Sequence, residues 1–157
     1  MEPIDPDKFS LDYLLENKVI MFLSSDYVIE HGINYNESEV VEVTINHIDY
    51  MVYPGRYYPD NVRDNRGVFS GLLYETWGDL NLAYYTHYED GLRDGVEVEF
   101  YDSGKVKNYC VWDNNRLVGK YYEWYENGKI RVFTDWAQDK FTEFDEQGKI
   151  TKQGKAN

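Results

Sequence analysis

The chain holds a single cysteine, Cys110, among 157 residues. No intramolecular disulfide can staple the fold, and a lone thiol suits a reducing compartment. Histidine is nearly as scarce, with only His31, His47 and His87. No two of them stand four residues apart as helical metal ligands do, so no metal is expected. Basic residues are short by a wide margin: 16 Lys and Arg against 29 Asp and Glu, a formal net charge of −13. Nucleic acid and anionic lipid both carry dense negative charge, so neither is an expected partner. Long apolar runs are missing too. The longest, Val19 to Leu23, is far too short to span a bilayer. The acidic opening stretch lacks the basic-then-apolar pattern of a signal peptide. These absences lead to the expectation of a soluble cytoplasmic protein.

Catalytic constellations are lacking as well. There is no phosphate-cradling glycine loop and no Gly-x-Ser-x-Gly elbow. Asp60 to Asn65 loosely evokes a calcium loop but has neither the glycine nor the terminal glutamate such a loop needs. A His87–Cys110 nucleophile pair fails on alternation, because the repeat described below sets the two on opposite sides of a sheet. The expectation is therefore no enzyme, no catalytic residue and no cofactor. An alternative with a site in the first half would require His31 or His47 beside buried carboxylates.

Aromatic residues are abundant: 17% of the chain, with 16 Tyr, 7 Phe and 4 Trp. That share favours strands. They also recur at a step of 24 residues. Gly71, Gly95 and Gly119 fall on it, as do Trp77, Tyr101 and Tyr125; Tyr85, Tyr109 and Phe133; and Tyr88, Trp112 and Trp136. Gly104 and Gly128 keep the step, and Gly148 follows after only 20 residues, the loss falling in the loop from Trp136 to Lys140. Each unit reads as a β-hairpin. Tyr-Asp-Ser-Gly-Lys at 101–105 and Tyr-Glu-Asn-Gly-Lys at 125–129 set a polar pair before a glycine suited to positive φ.

Period-two alternation separates two faces. On the outgoing strands Val96, Val98, Phe100, Tyr122 and Trp124 oppose Glu97, Glu99, Tyr101, Tyr121, Glu123 and Tyr125. On the return strands Val106, Cys110, Trp112, Ile130, Val132 and Trp136 are expected on the apolar face. Lys107, Tyr109, Val111, Asp113, Arg131, Phe133 and Asp135 are expected on the mixed one. Residues 1–66 do not share the repeat. There Ser10 is expected to cap a helix over Leu11 to Lys18. Strands are expected at Val19–Leu23, Tyr27–Glu30, Val40–Ile45 and Ile48–Tyr53, the last two joined through Asn46-His47. Tyr53 to Arg66 reads as a loop. The fold expected is mainly β, an antiparallel meander of repeated hairpins over 67–157 with an α+β cap over 1–66. Thirteen acidic and five basic residues lie within 1–70, so most of the negative charge belongs to the cap.

Glycine-bounded units such as Gly95-Val-Glu-Val-Glu-Phe-Tyr-Asp-Ser-Gly-Lys105 and Gly119-Lys-Tyr-Tyr-Glu-Trp-Tyr-Glu-Asn-Gly-Lys129 resemble the MORN-repeat variant of YwqK-type bacterial antitoxin proteins. The resemblance covers roughly residues 67–150. It implies a hairpin scaffold and no catalytic residues, and it suggests a role in neutralising a toxin.

Tyrosines interleaved with carboxylates are what a surface uses to recognise a basic protein. The candidate partner-binding residues are Glu75, Glu97, Glu99, Tyr101, Asp113, Tyr121, Glu123, Tyr125 and Asp135. The expected function is that of an acidic antitoxin or immunity protein that blocks a basic toxin, a nuclease being one such toxin, by direct contact. The alternative is a scaffold module with no toxin partner. Whether the repeats or residues 1–66 make the contact is open, as is the oligomeric state.

Overall fold

The computed structural model describes residues 4–54, 67–78 and 81–157. The chain is mainly β, with one large mixed sheet, a two-stranded hairpin and a few short helices.

Near the amino terminus a 3-10 turn, Pro6–Phe9, leads into helix α1, Leu11–Glu16. Ser10 caps α1 as expected, its hydroxyl accepting from the Tyr13 N–H at 3.2 Å, which satisfies one orphan donor of the first turn. Leu14 is the side chain α1 buries. Val19–Leu23 forms no strand. It joins no ladder, with Ile20 buried, Phe22 half-buried, and Val19 and Met21 exposed, and its Leu23 N–H donates to the Tyr85 hydroxyl at 3.0 Å. Its alternation reports packing on one side only, not a ladder. Tyr27–Glu30 also departs from expectation, since it lies inside helix α2, Ser25–His31. Ser24 caps that helix through its hydroxyl, 3.2 Å from the Tyr27 N–H. Val28 and Ile29 favour strands by propensity, but a capped turn with one inward residue, Val28, wins locally.

Strand β1, Ile33–Asn34, follows, then β2, Val41–Ile45, and β3, Ile48–Val52. Asn46 and His47 join β2 to β3 with φ of 54° and 68°, the two left-handed residues that a tight type I′ hairpin turn requires. Positions 55–66 of the expected loop lie outside the described residues, as do Asp79 and Leu80 in the turn of the first repeat unit.

The remaining strands are β4, Gly71–Trp77; β5, Asn81–Glu89; β6, Leu92–Arg93; β7, Gly95–Phe100; β8, Val106–Asp113; β9, Arg116–Trp124; β10, Ile130–Asp135; β11, Lys140–Phe144; and β12, Ile150–Gly154. Their order is β1-β4-β5-β7-β8-β9-β10-β11-β12, with β6 beside β5. From β4 onward neighbours are antiparallel. Among the described residues only β1 pairs in parallel, along β4, so the sheet is mixed rather than wholly antiparallel.

The turns after β7, β9 and β11 share one construction. Tyr101, Tyr125 and Asp145 each donate an N–H to Lys105, Lys129 and Lys149 at 2.8–2.9 Å. Gly104, Gly128 and Gly148 take φ of 90°, 86° and 83°, a conformation that costs an L side chain energy and glycine none. Just past each turn the ladder skips one residue: Lys107 between Glu99–Asn108 and Phe100–Val106, Arg131 in the next unit and Thr151 in the last. Ala83 is skipped at the same place in β5.

These bulges correct the expected faces. An extra residue in one strand shifts the side to which everything beyond it points. Val106 and Ile130 stay with Phe100 and Trp124, whereas Cys110 pairs with Glu97 and Val132 with Glu123. Cys110, Trp112 and Val132 therefore share the acidic face, while Tyr109 and Phe133 pair with Tyr122 on the apolar one.

Residues 4–31 cover that apolar face. Leu14 and Ile20 pack with Tyr122, Trp124, Ile130 and Phe144, and Val28 packs with Leu72, Tyr74, Leu82, Tyr85 and Val98. Trp124 is fully buried, stacked on Tyr122 at 5.8 Å, with its indole N–H donating to the Phe9 carbonyl at 2.9 Å. A third cluster, Val40, Met51, Phe69, Leu73 and Tyr88, seats the β2–β3 hairpin against the β4–β5 end of the opposite face.

Candidate functional site: an acidic and aromatic sheet face

Across β7 to β11 the second face bears no cluster of buried apolar side chains among the described residues. Register sets one line of residues straight across it: Glu75, Tyr84, Glu99, Asn108, Glu123, Val132, Glu143 and Lys152, one from each successive strand. Carboxylates occupy every second strand of the row. Neighbouring strands lie roughly 4.8 Å apart, so successive glutamates are spaced by about 10 Å.

Next to this row a second set forms around Glu97. Its Oε2 accepts from the Trp112 indole N–H at 2.8 Å and from the Cys110 thiol at 3.5 Å. Burial pushes the Glu97 carboxyl above its ordinary value, opposed by the Trp112 hydrogen bond and by Arg93. Arg93 packs over the rings of Tyr88 and Trp112 and pairs with Glu42 at 3.5 Å. Burial together with Glu97 raises the Cys110 thiol far above the usual thiol range, leaving it protonated and inert as a nucleophile. One unit on, Tyr121 stands where Glu97 stands, and the Trp136 N–H, equivalent to that of Trp112, is buried without an acceptor.

Tyr121 donates to Glu123 Oε1 at 3.0 Å, and Arg131 approaches Glu123 Oε2 at 3.3 Å. Burial and the neighbouring Glu123 raise the Tyr121 phenol, and burial with Glu75 raises that of Tyr84. Both tyrosines therefore act as neutral donors to carboxylates.

Five of the nine expected residues share this face: Glu75, Glu97, Glu99, Tyr121 and Glu123. Tyr101 and Tyr125 sit at the hairpin turns, and their hydroxyls are committed to carbonyls of the following unit, Trp124 O at 2.6 Å and Phe144 O at 2.8 Å. Trp77, the third member of that repeat row, donates likewise to Phe100 O at 3.1 Å. Lys107 and Arg131, the bulge residues, lie over the Tyr101 and Tyr125 rings. Asp113 and Asp135 close their strands on the alternation opposite to Cys110 and Thr134. Asp135 accepts from the Gln138 N–H at 3.2 Å and borders a cavity of about 610 Å³ with Phe9, Phe133 and Phe141. These two acids do not join the acidic row, because the bulges turn them away from it.

Sequence reasoning did not single out Tyr84, Asn108 and Glu143. The shortened step of 20 residues leads from Glu123 to Glu143, a signal that was available. The histidines build no site. His31 is exposed and stacks on Tyr27 at 4.1 Å, His47 serves the β2–β3 turn, and His87 bonds the Val96 carbonyl at 3.0 Å on the face away from Cys110. Among the described residues no three His, Cys, Asp or Glu side chains group as metal ligands, and no helix is long and apolar enough to cross a membrane.

No protein-family model matches the chain, and no curated protein matches its sequence.

Proposed function

We propose that this protein binds and neutralises a basic protein, in the manner of a cytoplasmic antitoxin or immunity protein, and that the row of glutamates on the sheet face makes the contact. The observation that carries this reading is the line Glu75, Glu99, Glu123 and Glu143, repeated on alternate strands beside tyrosines and one tryptophan. Charge of one sign on a rigid sheet steers a cationic partner, and half-buried aromatics give it area to bury. The 24-residue hairpin units also support the resemblance to the MORN-repeat antitoxin variant. A scaffold role without a toxin is the second reading, favoured by the same open face.

Co-purification from the native host with mass spectrometry names the partner. Its association rate should fall steeply between about 0.05 and 0.5 M salt, and charge reversal at Glu99 and Glu123 should weaken it further. Rescue of cells producing the partner separates neutralisation from scaffolding. A complex indifferent to salt and to both reversals would defeat the acidic-face reading.

A further inference from the structure

One position on the acidic row breaks the repeat in chemical character. Asn108 has Tyr84 one step before it and Val132 one step after, so its equivalents carry an aromatic and an aliphatic side chain. Asn108 is only 6% exposed, and its Oδ1 is buried with no donor. A buried carbonyl without a hydrogen bond costs stability, and a valine there would not. In register the amide stands between Glu99 on β7 and Glu123 on β9. Glu123 is already engaged by Tyr121 and Arg131. Glu99 has no ion pair or hydrogen-bond partner for its carboxylate among the described residues. The middle of the face thus holds two acceptors, the Glu99 carboxylate and the Asn108 carbonyl, with no donor to match them among the described residues.

We propose that Glu99, Asn108 and Glu123 form a notch that receives one arginine side chain of a basic protein partner. This rests on the docking reading above and specifies its central contact. A guanidinium offers five donors in a flat fork, enough to engage the Glu99 carboxylate and the Asn108 carbonyl together. Tyr84, in register beside Glu99, offers an aromatic face against which that plane can stack. An ammonium concentrates its donors on one atom and fits this spread of acceptors less well. The residues are not grouped to hold a metal ion, and acceptors without donors do not suit an anion.

The test titrates ¹⁵N-labelled full-length protein with acetyl-arginine-amide, reading the side-chain amide signals of Asn108. Asn108→Val assigns those signals by their loss. Acetyl-citrulline-amide, neutral with nearly the same shape, and acetyl-lysine-amide serve as controls. Arginine should give saturable shifts, with citrulline and lysine at least about tenfold weaker. Glu99→Gln should weaken the arginine response by about tenfold as well. Asn108→Val, which copies the Val132 environment, should raise Tm yet lower affinity for the basic partner. Equal responses to arginine and citrulline, or an arginine response unchanged in Glu99→Gln, overturn the notch. If a basic partner binds in a salt-dependent way and ignores both substitutions, the notch fails and the docking face stands. If arginine titrates but no basic protein binds, the notch survives and the neutralising role fails.

Discussion

Replacing Tyr101 and Tyr125 by phenylalanine removes two oxygen atoms and leaves the rings in place. The structure assigns both hydroxyls to the inside of the repeat. Each donates to the carbonyl that ends an outgoing strand of the next unit, at 2.6 Å to Trp124 and 2.8 Å to Phe144. A neutral hydrogen bond of this kind contributes about 0.5–1.5 kcal/mol net, because water competes for both partners in the unfolded chain. Both tyrosines are half-buried, so water replaces the lost donor only in part, and about 1 kcal/mol for each is expected. Lys107 and Arg131 over the rings should be undisturbed, since their attraction is to the π face. Trp124 and Tyr125 share one peptide unit, so the two bonds are neighbours and a double-mutant cycle should show coupling of about 0.5 kcal/mol or more. Urea unfolding of the two single variants and the double variant measures this. The double variant should lose about 1.5 or 2.5 kcal/mol, according to the sign of the coupling, with an unchanged m-value, a fall in Tm of roughly 3–10 °C for a chain of this size. Partner affinity should not change. Variants as stable as the parent that bind the partner more weakly would refute the assignment and make both tyrosines contact residues after all.

Two further outcomes follow from the interior. Trp124→Ala opens a cavity at the centre of the helix-covered face and strands the Phe9 carbonyl, so it should cost about 3–5 kcal/mol by denaturant unfolding; a loss under 1 kcal/mol would mean the amino-terminal segment is not seated there. Glu97→Gln should stabilise the protein in a pH-dependent way, since its carboxyl is raised in the fold. Ionising Glu97 then opposes folding. That cost is absent below the ordinary value of 4.5, grows as pH climbs toward the raised folded value, and persists above it. Glutamine keeps an acceptor for Trp112 and Cys110 but cannot ionise. The Tm advantage of Glu97→Gln should therefore be larger at pH 7 than at pH 4, and a pH-independent or inverted difference would count against burial as the cause.

Much of the fold was legible where a residue type has one physical use. Glycine after a polar pair marked the turns at Gly104, Gly128 and Gly148, Asn46-His47 marked the β2–β3 turn, and Ser10 marked the start of α1. The mainly β character was legible in the aromatic share, and the sheet itself is mixed because β1 joins its edge in parallel. Alternation alone could not show whether a strand has neighbours, so Val19–Leu23 was expected to pair. Tyr27–Glu30 was too short for its period to separate helix from strand, and the cap at Ser24 decided it. The faces were half legible. Away from the register shift where β9 meets β8, the outgoing strands keep their alternation, and Glu97, Glu99, Tyr121 and Glu123 were placed together. Return strands each carry a bulge, and a single skipped residue sent Cys110, Trp112 and Val132 to the acidic side and Tyr109 and Phe133 to the apolar one.

The same bulges explain why the glutamates stay in line when the last unit is shorter. From Glu75 to Glu99 and on to Glu123 the step is 24, and from Glu123 to Glu143 it is 20. The loss falls in the strands rather than in their connection: β8 and β9 have 8 and 9 residues and β10 and β11 have 6 and 5, while the connection grows from two residues to four. Four is an even number, so the alternation of β11 is preserved and Glu143 still pairs with Val132 and Lys152 on the acidic face. Loss of an odd number would have turned Glu143 toward the apolar face and brought Thr142 and Phe144 out of it. The bulge at Thr151 then follows its turn as Arg131 and Lys107 follow theirs. Charge along the row is thus repeated in the regular units and in the shortened one, while the positions between glutamates vary as Tyr84, Asn108 and Val132. On the docking reading, the glutamates supply attraction that any cationic surface would feel. Discrimination among such surfaces must come from the varied positions, and of these Asn108 is the one whose buried oxygen has no donor among the described residues.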